Sequence, residues 1–235
     1  WLKSKGIKKG DRVCAYMPNC SETIITMLAT SALGAIFSSC SSDFGVEGVI
    51  DRFEQIEPKI LVATNGYLYN GKLIERAEEI KTISKRLTSL EHVLVVEYIT
   101  SKKDTDNFPN FNTVFQSDPL EKYALCNFND PLYIVFSSGT TGKPKCIVHS
   151  IGGVLIQHAK EHLLHTNLIE KEKMFYFTTC GWMMWNWLVS GLASGATLIL
   201  YDGSPFADDG EVLLDAIDRE RITVFGTSAK FISGI

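Results

Sequence analysis

The sequence predicts an α/β fold in which layered, mixed sheets are flanked by helices. Short apolar runs rich in β-branched residues alternate along the chain with longer stretches of helical period, a pattern typical of βαβ units. The 235 residues, of which 45% are hydrophobic and 21% are charged, can bury a sizeable core. This composition excludes disordered, collagen-like and coiled-coil proteins.

The first hundred residues contain predicted strands and helices in alternation. The apolar run at residues 12–17 predicts a strand, and we expect Ser21 to cap a following helix that buries Ile24, Ile25 and Leu28 on one face. The further predicted elements are a helix from Val46 that stops at Pro58, a strand at 60–63, a helix across 73–83 and a strand at 92–96.

The second half of the chain begins with a long polar segment. Between about residues 100 and 129 the apolar period is lost, which predicts a variable segment at the surface. The elements predicted after it are strands at 132–136 and 146–149, a helix across 154–165, and strands at 174–177 and 197–201.

Charge and cysteine content limit the partners and the compartment. A formal charge of −4 and a pI near 5.8 lack the basic footprint of a nucleic-acid-binding protein. No apolar run reaches the roughly 18 to 20 residues that span a bilayer, and residues 1–6 are not a signal peptide. The six cysteines are scattered without a CxxC pair, as in reduced proteins. We therefore expect a cytosolic protein with no nucleic-acid or membrane partner.

The ends of the sequence predict that it is a fragment of a longer protein. The first residue is Trp1 rather than Met, and an apolar pattern is still under way at residues 231–235.

The segment with the clearest chemistry is SSGTTGKPK at residues 137–145, directly after an apolar strand. Glycines let a backbone fold closely around an anion, while hydroxyls, free N–H groups and lysines can bind phosphate oxygens. This composition predicts a phosphate-binding loop. Its candidate ligands are Ser137, Ser138, Gly139, Thr140, Thr141, Gly142, Lys143 and Lys145.

The loop is not a Walker A loop, because its glycines are separated by two residues and Pro144 follows Lys143 where Ser or Thr should stand. The next segment also has the pattern of a strand rather than a helix, which excludes P-loop kinases and GTPases. The alternative is an ordinary Ser/Thr/Gly hairpin turn without a ligand.

SSGTTGKPK, together with His149 and Gly152-Gly153, resembles the signature loop of the adenylate-forming enzymes. The resemblance implies that the loop binds the phosphates of ATP, accompanied by Mg²⁺, while a carboxylate attacks the α-phosphate and coenzyme A then displaces AMP. It implies catalytic roles for Lys145, Thr140 and Thr141. Where most of the superfamily has glycine after that lysine, this chain has Cys146.

Further segments are similar to the branch of this family that joins acetoacetate to coenzyme A in lipid and ketone-body metabolism. They are Asp43-Phe44-Gly45-Val46, Asp51-Arg52-Phe53, Tyr69-Asn70-Gly71-Lys72, residues 158–165 and residues 181–187. This resemblance implies that the small carboxylate substrate is acetoacetate. Acetate and propionate are the alternative acids.

The same resemblance implies two further sites. Trp182, Met183 and Trp185 would line the acyl pocket, although residues 183–192 also have the near-helical spacing of a buried helix. Lys72 would contact the phosphates of coenzyme A. No side chain is predicted to ligate a resident metal, and the oligomeric state stays open.

The resemblance implies that residues 1–235 are part of an AMP-binding N-terminal domain, with the C-terminal domain outside them, and that this piece alone is inactive. Two alternatives of other classes remain. One is a nucleotide-binding module that does not catalyse. The other is a zinc metallopeptidase, because His158, Glu161 and His162 match the H-x-x-E-H motif. Against it, the helical pattern predicts that the histidines face outward, since the residues expected to face inward are Leu155, Ile156, Leu163 and Leu164.

Overall fold

A six-stranded sheet, a three-stranded sheet and a two-stranded hairpin make up the β-structure of the chain. The structure is a computed structural model, and it describes residues 1–101, 105, 107–137 and 142–235. The strands are β1 Arg12–Met17, β2 Ile36–Ser41, β3 Ile60–Thr64, β4 Gly66–Tyr69, β5 Lys72–Glu75, β6 His92–Val96, β7 Pro131–Phe136, β8 Cys146–Ser150, β9 Lys173–Tyr176, β10 Thr197–Ile199 and β11 Val224–Gly226.

Helices flank the sheets. They are α1 Ser21–Ala32, α2 Val46–Phe53, α3 Ala77–Arg86, α4 Ile151–Lys160, α5 Met183–Ser190, α6 Glu211–Glu220 and α7 Ala229–Ile232. Short 3₁₀ turns occur at Glu54–Ile56, Phe111–Gln116 and Gly191–Ser194, and a π-helical turn at Glu161–His165 continues α4. The segment Ala207–Gly210 before α6 includes two residues of left-handed backbone conformation, Asp208 and Asp209. The predicted α/β class with layered, mixed sheets is confirmed. Among the described residues, no helix combines the length and the apolar character that crossing a bilayer requires.

The main sheet has the strand order β6-β3-β1-β2-β7-β8, in which β8 alone is antiparallel to its neighbour. Its two faces have separate cores, because successive residues of a strand point to opposite faces. Val13, Ala15 and Met17 of β1 pack on the side of α1, whereas Cys14 and Tyr16 pack on the side of α2 and α3. Because the other five strands are parallel, their carboxyl ends meet at one edge of the sheet, and ligands bind at this edge in open α/β sheets.

The smaller sheet is parallel and has the order β10-β9-β11. The side chains of Leu213 and Ala216 on α6 are buried against Phe175 of β9. Neither α6 nor β11 was among the predicted elements, and β2 was also missed.

Helix α1 presents a different face to the core from the one predicted. Ser21 is its first residue rather than its cap, since Cys20 occupies the N-cap position and makes no side-chain cap hydrogen bond. Ile25 and Leu28 are exposed, while Thr26 and Thr30 are buried and their hydroxyls donate to carbonyls four residues earlier. A threonine that satisfies its own hydroxyl in this way can replace an apolar residue in the core.

The helix predicted across residues 73–83 begins only at Ala77. Residues 72–75 are instead strand β5, which pairs antiparallel with β4 through the two-residue turn Asn70-Gly71. Both turn residues have positive φ, 48° and 69°, as a type I′ hairpin turn requires.

The orientation predicted for residues 154–165 is wrong. Leu155 and Ile156 are exposed, and so are Leu163 and Leu164, whereas His158 and His162 are buried. The histidines can enter the core because their ring nitrogens find partners on α5 there.

Candidate functional site

Segments that lie far apart in the sequence meet at the carboxyl edge of the main sheet. The hydroxyl of Ser39 on β2 donates to the carbonyl of Cys180 over 2.7 Å. The Cys180 thiol in turn donates to the carbonyl of Pro18, the residue after β1, over 3.0 Å. The turn before α5 is therefore attached to the ends of two parallel strands.

Gly181 continues this contact. A methyl group added to Gly181 would lie 3.2 Å from Cζ of Phe44 and 3.3 Å from the backbone nitrogen of Ser41, so the close approach favours glycine. The guanidinium of Arg52 lies over the Phe44 ring at 4.7 Å and over the Phe136 ring at 5.9 Å. Phe136 is the last residue of β7, immediately before the predicted phosphate loop.

Two side chains hold the backbone of the segment that follows β2. The hydroxyl of Tyr16 donates to the carbonyl of Phe44 over 2.7 Å, and Nε of Arg76 donates to the carbonyl of Ser42 over 2.8 Å. Arg76 also forms an ion pair with Glu79 at 2.7 Å. Sequence reasoning missed Arg76, since a single arginine before a helix carries no pattern of its own.

The predicted phosphate loop connects two strands that pair with each other. Phe136 of β7 lies opposite Cys146 of β8, the N–H of Ser137 donates to the carbonyl of Lys145 over 3.0 Å, and the N–H of Lys145 donates to Oγ of Ser137 over 3.2 Å. Ser138, Gly139, Thr140 and Thr141 lie outside the described residues. Gly142 has a φ of 146°, which is suited to glycine.

The two lysines of the loop differ in their surroundings. Nζ of Lys143 lies 3.4 Å from Glu54 and 3.7 Å from Asp51, both at the end of α2. Gln55 donates from Nε2 to the carbonyl of Pro144 over 2.8 Å, which attaches the same part of the loop to the same segment. Lys145 is exposed, and none of the residues that the structure describes forms an ion pair with it.

The three residues predicted to line an acyl pocket are not equivalent. Trp182 and Met183 are 65% and 44% exposed at the start of α5. Trp185 is fully buried, its ring is stacked on Phe37 at 5.9 Å, and its indole N–H donates to Asn19 over 2.9 Å. The structure thus places Trp182 and Met183 at the surface of this edge and Trp185 beneath it, in the core.

A half-buried carboxyl group, that of Asp202, also lies at this edge and was missed from the sequence. Burial, with a further contribution from the charge of Asp43, raises the pKa of Asp202 to about 6. Its Oδ2 atom is buried and has no hydrogen-bond partner among the described residues. The sequence does contain one indication of Asp202: it lies three residues after β10, and residues that follow parallel strands lie at the edge of the sheet where ligands bind.

Lys72 is exposed on the β4–β5 hairpin, directly opposite Tyr69 in the strand register. Burial, followed by the charges of Asp202, Asp208 and Tyr69, raises the pKa of Tyr201. Arg76, which holds the carbonyl of Ser42, also donates to the hydroxyl of Tyr67 on β4 over 3.3 Å, so this hairpin lies beside the segment that follows β2.

A cavity of about 710 Å³ lies away from these residues, between α1 and residues 111–121. None of the predicted site residues lines it, and its walls are mainly apolar side chains such as Ile25, Leu33 and Phe111. Its size alone does not make it the site, because it holds none of the convergent polar groups of the carboxyl edge.

The geometry gives the zinc alternative no support. The rings of His158 and His162 each lie 2.8 Å from Oγ of Ser190, and Glu161 instead contacts Gln157 and Lys160. In the described part of the chain, no three His, Cys, Asp or Glu side chains are grouped so that they could hold a metal ion.

Comparisons with known proteins agree on one family. The family model described as "AMP-binding enzyme" matches residues 1–234. An acetoacetyl-coenzyme A synthetase of Rhizobium meliloti (strain 1021) is 52% identical over 241 residues, which cover 100% of this chain and 37% of that protein. An acetoacetyl-CoA synthetase of Mus musculus is 46% identical, covering 99% of this chain and 36% of the relative.

A solved structure described as acetoacetyl-CoA synthetase from Streptomyces lividans superimposes with a TM-score of 0.94 at 39% sequence identity. It covers 99% of this chain, which corresponds to 36% of that structure. The chain therefore spans a little over a third of the length of the relatives that it matches.

Proposed function

The chain belongs to the AMP-binding enzyme family, and on that premise we propose that it is the part of an AMP-forming acetoacetate–CoA ligase that binds ATP and the acid. In the proposed first step a carboxylate oxygen of acetoacetate attacks the α-phosphorus of ATP, and the bond to pyrophosphate breaks. In the second, the thiol of coenzyme A loses its proton and attacks the acyl carbon, and AMP leaves. ATP enters as its magnesium complex.

One structural observation carries this proposal: the end of β7, which leads into the predicted phosphate loop, is joined by continuous contacts to the segment that begins α5. Phe136 precedes the loop, the Arg52 guanidinium lies over both Phe136 and Phe44, and Phe44 contacts Gly181, the neighbour of Trp182. Adenylation needs the acid and the nucleotide phosphates to be adjacent. The contacts described above support such an arrangement at the carboxyl edge.

Within this proposal Lys145 stabilises the negative charge that builds on the departing pyrophosphate. An ammonium group on a flexible stem suits that task, and the Lys145 side chain has no described ion-pair partner that it would have to release. Lys143 has Glu54 and Asp51 as partners, so we assign it a secondary role. Thr140 and Thr141, with Ser138 and Gly139, would supply hydrogen bonds to the phosphates.

For the acid we propose that Trp182 and Met183 enclose the short acyl chain. Indole and thioether surfaces provide apolar contact, and the exposed indole of Trp182 offers an N–H donor to a carbonyl oxygen. Trp185 would support this pocket from below through its hydrogen bond to Asn19. Lys72 on the nearby hairpin would contact the phosphates of coenzyme A.

We also propose that the protein works in the cytosol on a small-molecule carboxylate. All six cysteines are free thiols, and four of them, Cys14, Cys20, Cys40 and Cys180, are buried. Such a pattern is typical of reducing compartments, where disulfides are rare.

Product analysis tests the proposed reaction. The natural polypeptide that contains these residues is incubated with MgATP, acetoacetate and coenzyme A, and the products are identified by mass spectrometry. We expect acetoacetyl-CoA, AMP and pyrophosphate in equal amounts, and acetoacetyl-adenylate when coenzyme A is omitted. Formation of ADP and phosphate, or ATP binding without any acyl product, would contradict the proposal.

A further inference from the structure

The H-x-x-E-H segment, which the proposed function leaves without a role, forms a hydrogen-bond network with α5. Nδ1 of His158 and Nε2 of His162 each lie 2.8 Å from Oγ of Ser190, the last residue of α5. The Ser190 hydroxyl donates to the carbonyl of Trp187 over 2.6 Å, and Nε2 of His162 lies 3.0 Å from the same carbonyl.

The protons of this network can be assigned so that every contact in it is a hydrogen bond. Because the single Ser190 proton is given to the Trp187 carbonyl, both lone pairs of Oγ are free to accept. When His158 carries its proton on Nδ1 and His162 on Nε2, each ring donates to Ser190 and all of these contacts are hydrogen bonds. Two neutral histidines of opposite tautomer thus hold the C-terminal end of α5, where helix carbonyls lack partners of their own.

The network reaches the other end of α5 through one face of the helix. Met183, Trp187 and Ser190 are spaced at i, i+4 and i+7, so their side chains share a face. The Trp187 ring lies against the His162 ring, with centroids 4.5 Å apart. From Ser190 to Met183 the helix rises by about 10 Å, so rotation or sliding of α5 at the histidines would be transmitted to Met183.

Among the described residues, neither Nδ1 of His162 nor Nε1 of Trp187 has a hydrogen-bond partner, although both atoms are buried. Buried polar atoms nearly always have a hydrogen-bond partner, so these two atoms call for an explanation. The π-helical turn that carries His162 is likewise a rare element that is frequent at functional sites.

We propose that His158 and His162 are positioning residues that fix α5, and with it Met183 and Trp182, for binding of the carboxylate substrate. The proposal rests on the function proposed above and adds the residues that set the acid-binding end of the site. The histidines act through Ser190 and Trp187 and do not touch the substrate.

Paired substitutions in the natural polypeptide test this proposal. His162→Leu and His158→Leu remove the donors, while His162→Gln and His158→Asn keep an amide N–H at the position of Nε2 and Nδ1 respectively. His165→Ala, an exposed histidine on the same π-helical turn, is the matched control. The assay is acid-dependent exchange of labelled pyrophosphate into ATP. It gives KM for the acid and KM for ATP in separate titrations of each variant.

We expect each leucine variant to raise KM for the acid by about tenfold or more, with KM for ATP changed less than about twofold. The amide variants should restore most of the acid affinity, and His165→Ala should match the wild type. Ser190→Ala should resemble the leucine variants, since it removes the shared acceptor. A purely structural role would reduce the amount of active protein without changing KM for the acid, and that result would overturn the proposal.

Failure of the proposed function is distinguishable from failure of this inference. Absence of acid-dependent exchange in the wild type would overturn both. Normal exchange in the wild type together with an unchanged acid KM in the leucine variants, or equal increases in KM for acid and ATP, would overturn only the positioning role. If a leucine variant does not fold, Ser190→Ala and the amide variants decide between the same outcomes.

Discussion

The hydroxyl of Ser39 donates a 2.7 Å hydrogen bond to the carbonyl of Cys180, 141 residues further along the chain. This bond joins β2 of the main sheet to the turn that leads into α5. The adjoining contact between Gly181 and Phe44 extends the connection to Arg52 and to the end of β7. The turn that leads into α5 and the end of β7, which leads into the predicted phosphate loop, consequently belong to one packed unit.

Gly181→Ala should disturb this unit. The added methyl group would lie 3.2 Å from Phe44 and 3.3 Å from the Ser41 backbone, which is tighter than most side chains tolerate. We expect a loss of about 1 to 2 kcal/mol in the free energy of unfolding, as for other overpacked sites. Urea denaturation measures it, and Gly48→Ala within α2, where an added methyl group meets nothing closer than 3.7 Å, is the control. Equal stability of the two variants would contradict the account.

The two loop lysines should differ in their contribution to adenylation. Lys145→Ala should lower the rate of adenylation by about 10² because it removes a charge that stabilises the departing pyrophosphate. Lys143→Ala should cost less than about tenfold, since its ammonium is shared with Glu54 and Asp51. Single-turnover formation of the adenylate compares the two variants. The reverse order would contradict the assignment of Lys145.

Asp202 should make the protein less stable as the pH rises. Its pKa is raised to about 6 from an ordinary value of 3.8, so the folded state binds more protons than the unfolded state between these values. Stability that is present below about pH 4 is therefore lost as the pH approaches 6. After allowance for partial exposure we expect a loss of about 1 to 2 kcal/mol. Asp202→Asn should remove this loss in thermal unfolding across pH 4 to 7. A wild-type pH dependence retained in that variant would exclude Asp202 as its source.

His158 should make the protein less stable as the pH falls, over much of the same pH range. Burial first, and then the nearby His162 and His149, lower its pKa to about 4 from 6.5, while Glu161 acts weakly against this. Stability that is present above pH 6.5 is lost as the pH falls towards 4, because the unfolded chain takes up the proton first. We expect a loss of about 2 kcal/mol.

His158→Asn, which keeps the donor to Ser190 without a titrating ring, should flatten this slope. Nitrogen-15 chemical shifts of the imidazoles provide an independent check. They should show His158 as the Nδ1–H tautomer at neutral pH, and a protonated ring at pH 6 would contradict the prediction.

The parts of the fold that were predicted correctly are those whose cause is local. The apolar runs at 12–17, 60–63 and 92–96 became β1, β3 and β6, because parallel strands covered on both faces are apolar throughout. The β4–β5 hairpin is also a local feature, but most of β5 falls within the helix predicted across 73–83, and the Asn70-Gly71 turn before it is not among the predicted features.

Other features depend on partners that are remote in sequence. The helical pattern of residues 154–165 predicts that leucines face inward, yet Ser190, 28 residues after His162, supplies the partner that draws the histidines inward. Trp185 was grouped with Trp182 because the two are close in sequence, but its hydrogen bond to Asn19, 166 residues away, places it in the core. Which of these side chains are buried and which are exposed is decided by tertiary contacts, which the local sequence pattern does not contain.

The central claim is most directly tested by acid-dependent exchange of labelled pyrophosphate into ATP. Exchange by the natural polypeptide is measured separately with acetoacetate, acetate and propionate, and the three rates are compared. Coenzyme A is left out so that adenylation alone is measured. The account predicts exchange with a clear preference for acetoacetate and near-complete loss in Lys145→Ala. A preference for acetate or propionate would contradict the acyl assignment, and exchange with none of the three acids would contradict the proposed catalysis itself.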